Sequence, residues 1–181
     1  MVYIFLADGF EEIEALCPLD IMLRAGLEVK TVSINGSETV TGSHGIRVYA
    51  DKVIDDISLS DKPELVMLPG GMPGTKNLEA CETVHDFIND AVKRNAYVAA
   101  ICAAPLVLGK MGLLDGREAI CYPGFEEHLK GAALSQSKVV KDGNIITAKG
   151  MGVSLEFALK LVETLCGSEV SEKIKLSVMA G

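Results

Sequence analysis

One cysteine of this sequence lies where a predicted strand turns into a predicted helix. The apolar run Val98 to Ile101 leads into Cys102, and the small residues Ala103 and Ala104 follow, then Pro105. Serine hydrolases hold their nucleophile at such a turn, because small neighbours let the strand and the helix pass closely. A thiol of ordinary pKa, about 8.5, is only a few per cent ionised at neutral pH, and a helix N-terminus lowers that value to about 7 at most. A reactive Cys102 therefore needs a second partner.

An acidic segment after the first predicted strand offers that partner. Glu11 and Glu12 fall in the first turn of a predicted helix, where the helix macrodipole favours acidic residues, so they have a structural explanation. Glu14 differs because Pro18 cannot donate a backbone hydrogen bond to its carbonyl, which predicts a kinked or loosened helix there. A protonated Glu14 that donates a hydrogen bond to the sulfur would favour the thiolate. We predict Glu14 and Cys102 as the catalytic pair.

A glycine pair follows a third buried segment. Gly70 and Gly71 come directly after the apolar run Leu65 to Leu68. Backbone N–H groups of paired glycines can approach an oxyanion or a carboxylate, although a tight turn alone also explains them. Neither the Walker pattern nor the dinucleotide G-x-G-x-x-G pattern is present, and we expect no cofactor and no metal.

Composition bounds the remaining possibilities. With 181 residues, 49% of them hydrophobic, the chain is predicted to form one domain over residues 1–181. The formal net charge of −8, without a basic cluster, argues against nucleic acid and anionic membranes as partners. No run approaches the roughly 20 apolar residues of a membrane span, and Met1 to Ala7 lacks the features of a signal peptide, so we expect a cytoplasmic protein. The five cysteines show no C-x-x-C spacing.

Apolar runs alternate with helical patterns, which predicts an α/β fold: a doubly wound, mostly parallel sheet sandwiched by helices. The predicted strands are Val2 to Leu6, Glu28 to Ser33, Leu65 to Leu68, Tyr97 to Ile101, Ala119 to Cys121 and Ile145 to Ala148. The predicted helices are Glu11 to Arg24, Val84 to Arg94, Ala103 to Met111, Val153 to Leu165 and a short one within Glu169 to Leu176. Thr39 to Val53 indicates a small antiparallel excursion, and Lys141 to Asn144 predicts a type I′ hairpin. The functional crevice of such a sandwich lies at the carboxyl ends of its strands.

Three of these segments, in this order, resemble the ThiJ/PfpI superfamily: Gly9 to Glu14, Leu68 to Gly71 and Ala100 to Ala103. Within it the sequence is similar to the branch of the parkinsonism-associated DJ-one protein and its bacterial relatives, over essentially the whole chain. The resemblance implies a flavodoxin-like fold related to class I glutamine amidotransferases, and a homodimer. It also implies that Cys102 is an oxidation-prone thiol with Glu14 as its protonated partner. The amides of Gly71 and Ala103 would then be the oxyanion donors.

The sequence also departs from that family. The protease-like branch has a histidine directly after the cysteine, where this chain has Ala103, so a Cys-His peptidase triad is disfavoured. Tyr122 stands where the animal branch has a histidine near the cysteine. The residues predicted to shape the pocket are Met72, His44, Tyr122 and Pro123.

Two classes of function remain open. The first is an enzyme with a small aldehyde or glycated substrate, either glyoxalase III-type conversion of methylglyoxal to lactate or deglycase activity, through addition of the Cys102 thiolate to the carbonyl. The second is a non-enzymatic redox sensor or stress chaperone that acts through oxidation of Cys102. A purely structural Cys102 is a third reading, and no residue supports an intracellular protease or amidase.

Overall fold

The computed structural model describes all 181 residues. Its strands are β1 (Val2–Leu6), β2 (Val29–Ser33), β3 (Thr39–Thr41), β4 (Arg47–Tyr49), β5 (Lys52–Val53), β6 (Leu65–Leu68), β7 (Tyr97–Ile101), β8 (Glu118–Ala119), β9 (Ala133–Leu134), β10 (Val139–Asp142) and β11 (Ile145–Ala148). Its α-helices are α1 (Glu12–Arg24), α2 (Gly74–Ala80), α3 (Glu82–Lys93), α4 (Pro105–Lys110), α5 (Ser154–Cys166) and α6 (Ser168–Ser177). Short 3₁₀ turns cover Ile54–Asp56, Leu59–Asp61, Glu126–His128 and Met151–Val153.

Seven strands form the central sheet in the order β10-β11-β7-β6-β1-β2-β5. Every neighbouring pair is parallel except β10 and β11. The predicted doubly wound, mostly parallel α/β fold is confirmed. The antiparallel excursion is also found, as the β3–β4 hairpin, while β5 joins the edge of the central sheet. None of the helices is long and apolar enough to cross a membrane.

Apolar side chains fill both faces of the sheet, because successive residues of a strand point to opposite faces. In β1, Tyr3 and Phe5 pack on one face of the sheet, in a cluster with Phe87 of α3. Ile4 packs on the other face, in a cluster that includes Phe157 of α5. All five of these side chains are at most 2% exposed. The sheet is therefore covered on both faces.

Four predicted strands, β1, β6, β7 and β11, match the structure residue for residue. The prediction of a strand over Ala119 to Cys121 is wrong. Only Glu118–Ala119 pairs, with β9 in a separate small sheet, and the Ile120 N–H donates instead to Thr147 Oγ1 at 3.0 Å. The helix α2 was not predicted, because it follows the glycine-rich segment directly and carries too few residues to show a helical period.

Helix α1 begins one residue later than predicted, since Glu11 is its N-cap and accepts a hydrogen bond from the Glu14 N–H at 2.7 Å. It continues through Pro18 to Arg24, so Pro18 does not end the helix.

The predicted hairpin joins β10 to β11 through Gly143 and Asn144. Of these two residues only Gly143 has a positive φ, 58°. A type I′ turn requires positive φ at both central positions, whereas type II′ requires it only at the first. The turn is therefore of the II′ class, and the predicted type I′ is corrected.

Candidate functional site

Cys102 sits at a sharp turn directly after β7. Its φ of 64° lies in the left-handed region, a conformation that costs a non-glycine residue about 1–3 kcal/mol. Two backbone hydrogen bonds hold it there: the Cys102 N–H donates to the Ala148 carbonyl at 2.9 Å, and the Tyr122 N–H donates to the Cys102 carbonyl at 2.8 Å. The side chain is half-buried. The surrounding fold thus fixes the direction of the sulfur.

The helix after this turn is shorter than predicted. Helix α4 begins at Pro105 rather than Ala103 and has six residues, so Cys102 lies three positions before it. The expected effect of the helix N-terminus on the thiol is therefore not available. Individual amides take its place, because the N–H groups of Ala103 and Gly71 lower the pKa of the thiol.

The Glu14 side chain reaches the same point from α1. It is 1% exposed, and its Oε2 accepts a hydrogen bond from the Gly70 N–H at 3.0 Å. A Cβ atom at position 70 would lie 2.5 Å from Glu14 Oε2 and 2.7 Å from Cys102 Cβ. Only glycine therefore allows the acid and the thiol to come together here. The Gly70 N–H is therefore occupied by Glu14 and holds the acid in place. The sequence predicts Gly70 as a free oxyanion donor, and this prediction is corrected.

Gly71 is required for a related reason. Its φ is 89°, and a side chain would overlap the backbone of Gly9 and Glu11. The loop therefore packs backbone against backbone on the start of α1, which the bond from the Glu11 N–H to the Gly70 carbonyl, 2.9 Å, also secures. This contact brings the Gly71 amide to the sulfur.

The Glu14 carboxyl lies against the Cys102 side chain, so their ionisations are coupled. Burial, with a contribution from the charge of Glu11, raises the pKa of Glu14 to about 7. Burial and the Glu14 carboxylate raise the pKa of the Cys102 thiol to about 12, against the amides of Ala103 and Gly71. The lowered thiol pKa expected from the sequence is thus corrected: burial outweighs the donors while Glu14 is ionised.

Such a pair titrates as one unit. Its first proton leaves as the pH rises through about 7, the pKa of Glu14, and the remaining proton stays on the sulfur, whose pKa is about 12. Above pH 7 the site therefore holds a thiol beside a carboxylate that can accept its proton.

A cavity of about 600 Å³ opens beside the sulfur. Its lining residues are Glu11, Glu14, His44, Cys102, Tyr122, Pro123, Lys138, Lys149, Gly150, Met151, Gly152 and Val153. The structure thus brings His44, Tyr122 and Pro123 together around the predicted pair. Met72 does not line the cavity and is 38% exposed, so its predicted place in the pocket is corrected.

Sequence reasoning missed the side of the cavity formed by Lys138, Lys149 and Gly150 to Val153. A Cβ atom at Gly150 would lie 4.0 Å from the Cys102 sulfur, so this segment passes directly beside the thiol. The available signal was the glycine-rich stretch Gly150 to Gly152, which follows β11 at the same edge of the sheet as the other strand ends.

The buried Glu12 carboxylate positions His44. Glu12 accepts hydrogen bonds from the His44 N–H and Nδ1, both at 2.8 Å, and from Ser43 Oγ at 3.2 Å. Burial raises the pKa of Glu12, but the hydrogen bonds from His44 outweigh it and the pKa falls to about 2. Ligand atoms of Glu11, Glu12 and His44 lie within 4.8 Å of one another, the spacing of a cation site. Because the loop already occupies both Glu12 oxygens, these residues are explained without a metal.

Comparison with known proteins gives a consistent result. The DJ-1/PfpI family matches residues 1–164. The Parkinson disease protein 7 homolog of Danio rerio is 36% identical over 95% of this chain and 93% of its own length. A Caenorhabditis elegans protein, glutathione-independent glyoxalase DJR-1.2, is 32% identical over 91% of this chain and 87% of its own length. The structure of oxidized Toxoplasma gondii DJ-1 superposes with a TM-score of 0.94 and 34% identity, over 98% of this chain and 97% of that chain. This likeness confirms the flavodoxin-like fold.

Substitution of the acid should change how Cys102 responds to pH. In the parent protein, the rate of Cys102 alkylation by iodoacetamide should be low at pH 7 and keep rising toward pH 12, because the thiol pKa is about 12. In Glu14→Gln the carboxylate that raises the thiol pKa is lost, so the inflection should move down by roughly one pH unit or more. The rate at pH 7 should rise about tenfold or more. Peptide mass spectrometry at Cys102 measures both.

Glu11→Gln is the matched control, because it removes an acid from the same helix turn. The Glu11 charge acts on Glu14 and is not a cause of the raised thiol pKa, so its loss should leave the Cys102 inflection unchanged. An unchanged profile in Glu14→Gln would show that the two ionisations are not coupled.

Proposed function

The chain belongs to the DJ-1/PfpI family, and we propose that it is a cysteine-dependent enzyme for small reactive carbonyls, which converts methylglyoxal to lactate without glutathione. The observation that carries this proposal is the buried Glu14 carboxyl beside a half-buried thiol, in a cavity of about 600 Å³. Nucleophile, proton carrier and room for a small substrate thus meet at one place. The relative that is named a glutathione-independent glyoxalase supports the same reaction class.

The first step forms a hemithioacetal. The Cys102 sulfur adds to the aldehyde carbon, and the aldehyde oxygen takes the proton from Glu14. Negative charge moves from the sulfur to that oxygen during this addition. The Gly71 and Ala103 amides, which lower the pKa of the thiol, would stabilise this charge.

The second step moves hydrogen within the bound substrate. The Glu14 carboxylate removes the proton on the former aldehyde carbon, which gives an enediol, and returns a proton to the neighbouring carbon. The product is the Cys102 thioester of lactate. Water then cleaves the thioester, which releases lactate and restores the thiol. The whole sequence consumes one methylglyoxal and one water and needs no oxidant, reductant or cofactor.

The same site bears on two other activities, deglycase and peptidase or amidase. Deglycase activity on early glycation adducts would use the same addition step but must accommodate the attached amine. Peptidase or amidase activity lacks support, because Ala103 stands where the protease-like branch has a histidine after the cysteine. His44, which lines the cavity, is hydrogen-bonded to Glu12 instead.

Turnover should depend on both members of the pair. Lactate formation from methylglyoxal, assayed without glutathione, should fall at least about 1000-fold in Cys102→Ser, because the nucleophile is lost. In Glu14→Gln the loss should be about 100-fold or more, since proton transfer is lost. Cys17→Ser, a thiol substitution on α1 outside the cavity, should retain parent activity. Parent-level turnover in Cys102→Ser would refute the proposal.

A redox-sensing role is the second candidate, favoured by the accessibility of Cys102 to the cavity. Burial and a nearby carboxylate raise the pKa of Cys17, Cys121 and Cys166 too, but none of these three thiols lines the Cys102 cavity. A similar structure is that of an oxidized DJ-1 protein, from Toxoplasma gondii. A sulfinic acid at Cys102 would accept hydrogen bonds from protonated Glu14 and from the amides of Gly71 and Ala103.

Mild peroxide should therefore add two oxygens selectively at Cys102, as measured by peptide mass spectrometry. Glu14→Gln should speed this oxidation, because loss of the Glu14 charge lowers the thiol pKa and more thiolate forms. Oxidation of all five cysteines to the same extent would exclude a sensing role for Cys102. Oxidation without methylglyoxal turnover in the parent would favour the sensor or stress-chaperone function over the enzyme.

We also propose that the protein is a homodimer, as its family resemblance implies. Exposed apolar side chains support this: Leu23 of α1 is 51% exposed and Tyr49 of β4 is 81% exposed, and both line a groove between that helix and the hairpin. A second copy of the chain would cover this face.

Light scattering coupled to size-exclusion chromatography should give twice the mass of the 19.2 kDa chain. Leu23→Glu and Tyr49→Glu should shift the protein toward the monomer, because each places a charge in the apolar groove. Leu176→Glu, at a 70% exposed position of α6, should leave the mass unchanged. A monomeric parent would exclude the homodimer.

A further inference from the structure

Two lysines face each other at one side of the Cys102 cavity. Lys138 comes directly before β10 and Lys149 directly after β11. The register places Val139 opposite Ala148, and the next step outward places the two lysines opposite each other. The Lys149 N–H donates to the Lys138 carbonyl at 2.9 Å, which continues the ladder. Opposing residues of an antiparallel pair project from the same face of the sheet, with Cβ atoms roughly 5 Å apart.

Neither lysine has a carboxylate partner. The ion pairs of the protein join other residues, and no acidic oxygen lies within 4.0 Å of the Lys138 or Lys149 ammonium group. Like charges directly opposite each other destabilise an antiparallel pair. In a chain of net charge −8, two unpaired cations that face each other beside a reactive thiol form a local positive site. A bound anion would remove their mutual repulsion.

We propose that Lys138 and Lys149 form an anion-recognition subsite of the Cys102 cavity, which takes a carboxylate or phosphate group carried by the carbonyl substrate. Ammonium groups bind both anions as point charges, so the shared chemistry is the negative charge. The substrate class rests on the proposed carbonyl chemistry, whereas the subsite itself does not.

The charges around the cavity also set the orientation of such a substrate. Glu11 and Glu14, both on the α1 side of the site, repel an anionic group, and the lysines at the ends of β10 and β11 attract it. Cys102 is the nucleophile of the same cavity. An anionic 2-oxoaldehyde would therefore bind with its charged end at the lysines and its aldehyde at the sulfur.

A pair of alkylating reagents tests the subsite without any turnover. Iodoacetate and iodoacetamide react with the same thiolate and differ chiefly in charge, so the ratio of their rates at Cys102 reports the local potential. In the double variant Lys138→Met/Lys149→Met the iodoacetate rate divided by the iodoacetamide rate should fall about tenfold. In the parent this ratio should fall with added salt. Lys93→Met, an exposed lysine of α3 outside the cavity, removes one charge elsewhere and should leave the ratio unchanged. An equal ratio in the parent and the double variant would overturn the subsite.

Matched substrates test the substrate class. The parent should have a kcat/KM for 4,5-dioxopentanoate about tenfold above that for 2-oxopentanal, which has the same carbon chain without the charge. A phosphorylated 2-oxoaldehyde shows whether phosphate serves as well as carboxylate. The double variant should lose the preference and still convert 2-oxopentanal. Equal turnover of both compounds by the parent would overturn the substrate class. No turnover of either, with a lysine-dependent alkylation ratio, would reject the carbonyl enzyme and leave the subsite supported.

Discussion

The structure of the site depends on one buried carboxyl, that of Glu14, held against the sulfur of Cys102. Removal of this acid from water makes its ionisation costly, so it keeps a proton up to about neutral pH and becomes a proton carrier rather than a fixed charge. The contact tolerates no side chain at position 70, where a Cβ atom would collide with both groups. The glycine loop, the start of α1 and the turn after β7 are all fixed by this meeting point.

Sequence patterns predict the scaffold well because buried parallel strands are continuous apolar runs, as in Leu65 to Leu68 and Tyr97 to Ile101. They fail where long-range hydrogen bonds decide the local conformation. The Cys102 carbonyl accepts a hydrogen bond from the Tyr122 N–H rather than from the following helix, and no local pattern contains this bond. Helix α4 therefore begins at Pro105, two residues later than predicted. Ile120 likewise leaves the strand pattern for the hydroxyl of Thr147.

The same distinction explains the site. Cys102 and Glu14 could be found because each follows a strand, and the carboxyl ends of parallel strands meet at one edge of the sheet. Lys138 and Lys149 could not, because their juxtaposition depends on the register of β10 against β11 and on the closeness of that hairpin to β7. The predicted thiol pKa was wrong for a related reason: a sequence supplies the local helix, but burial appears only once the chain is packed.

The first turn of α1 shows how environment alone separates chemically identical groups. Glu12 and Glu14 are two residues apart and almost fully buried, at 2% and 1% exposure. Glu12 receives donors at both oxygens from the loop that carries His44, so its pKa falls to about 2 and it stays an anion that anchors that loop. Glu14 receives one amide on Oε2, and its Oε1 has no donor within the protein by hydrogen-bond geometry, so burial dominates and its pKa rises to about 7. One helix turn thus supplies a permanent charge that organises the cavity wall and a titrating acid that serves the thiol.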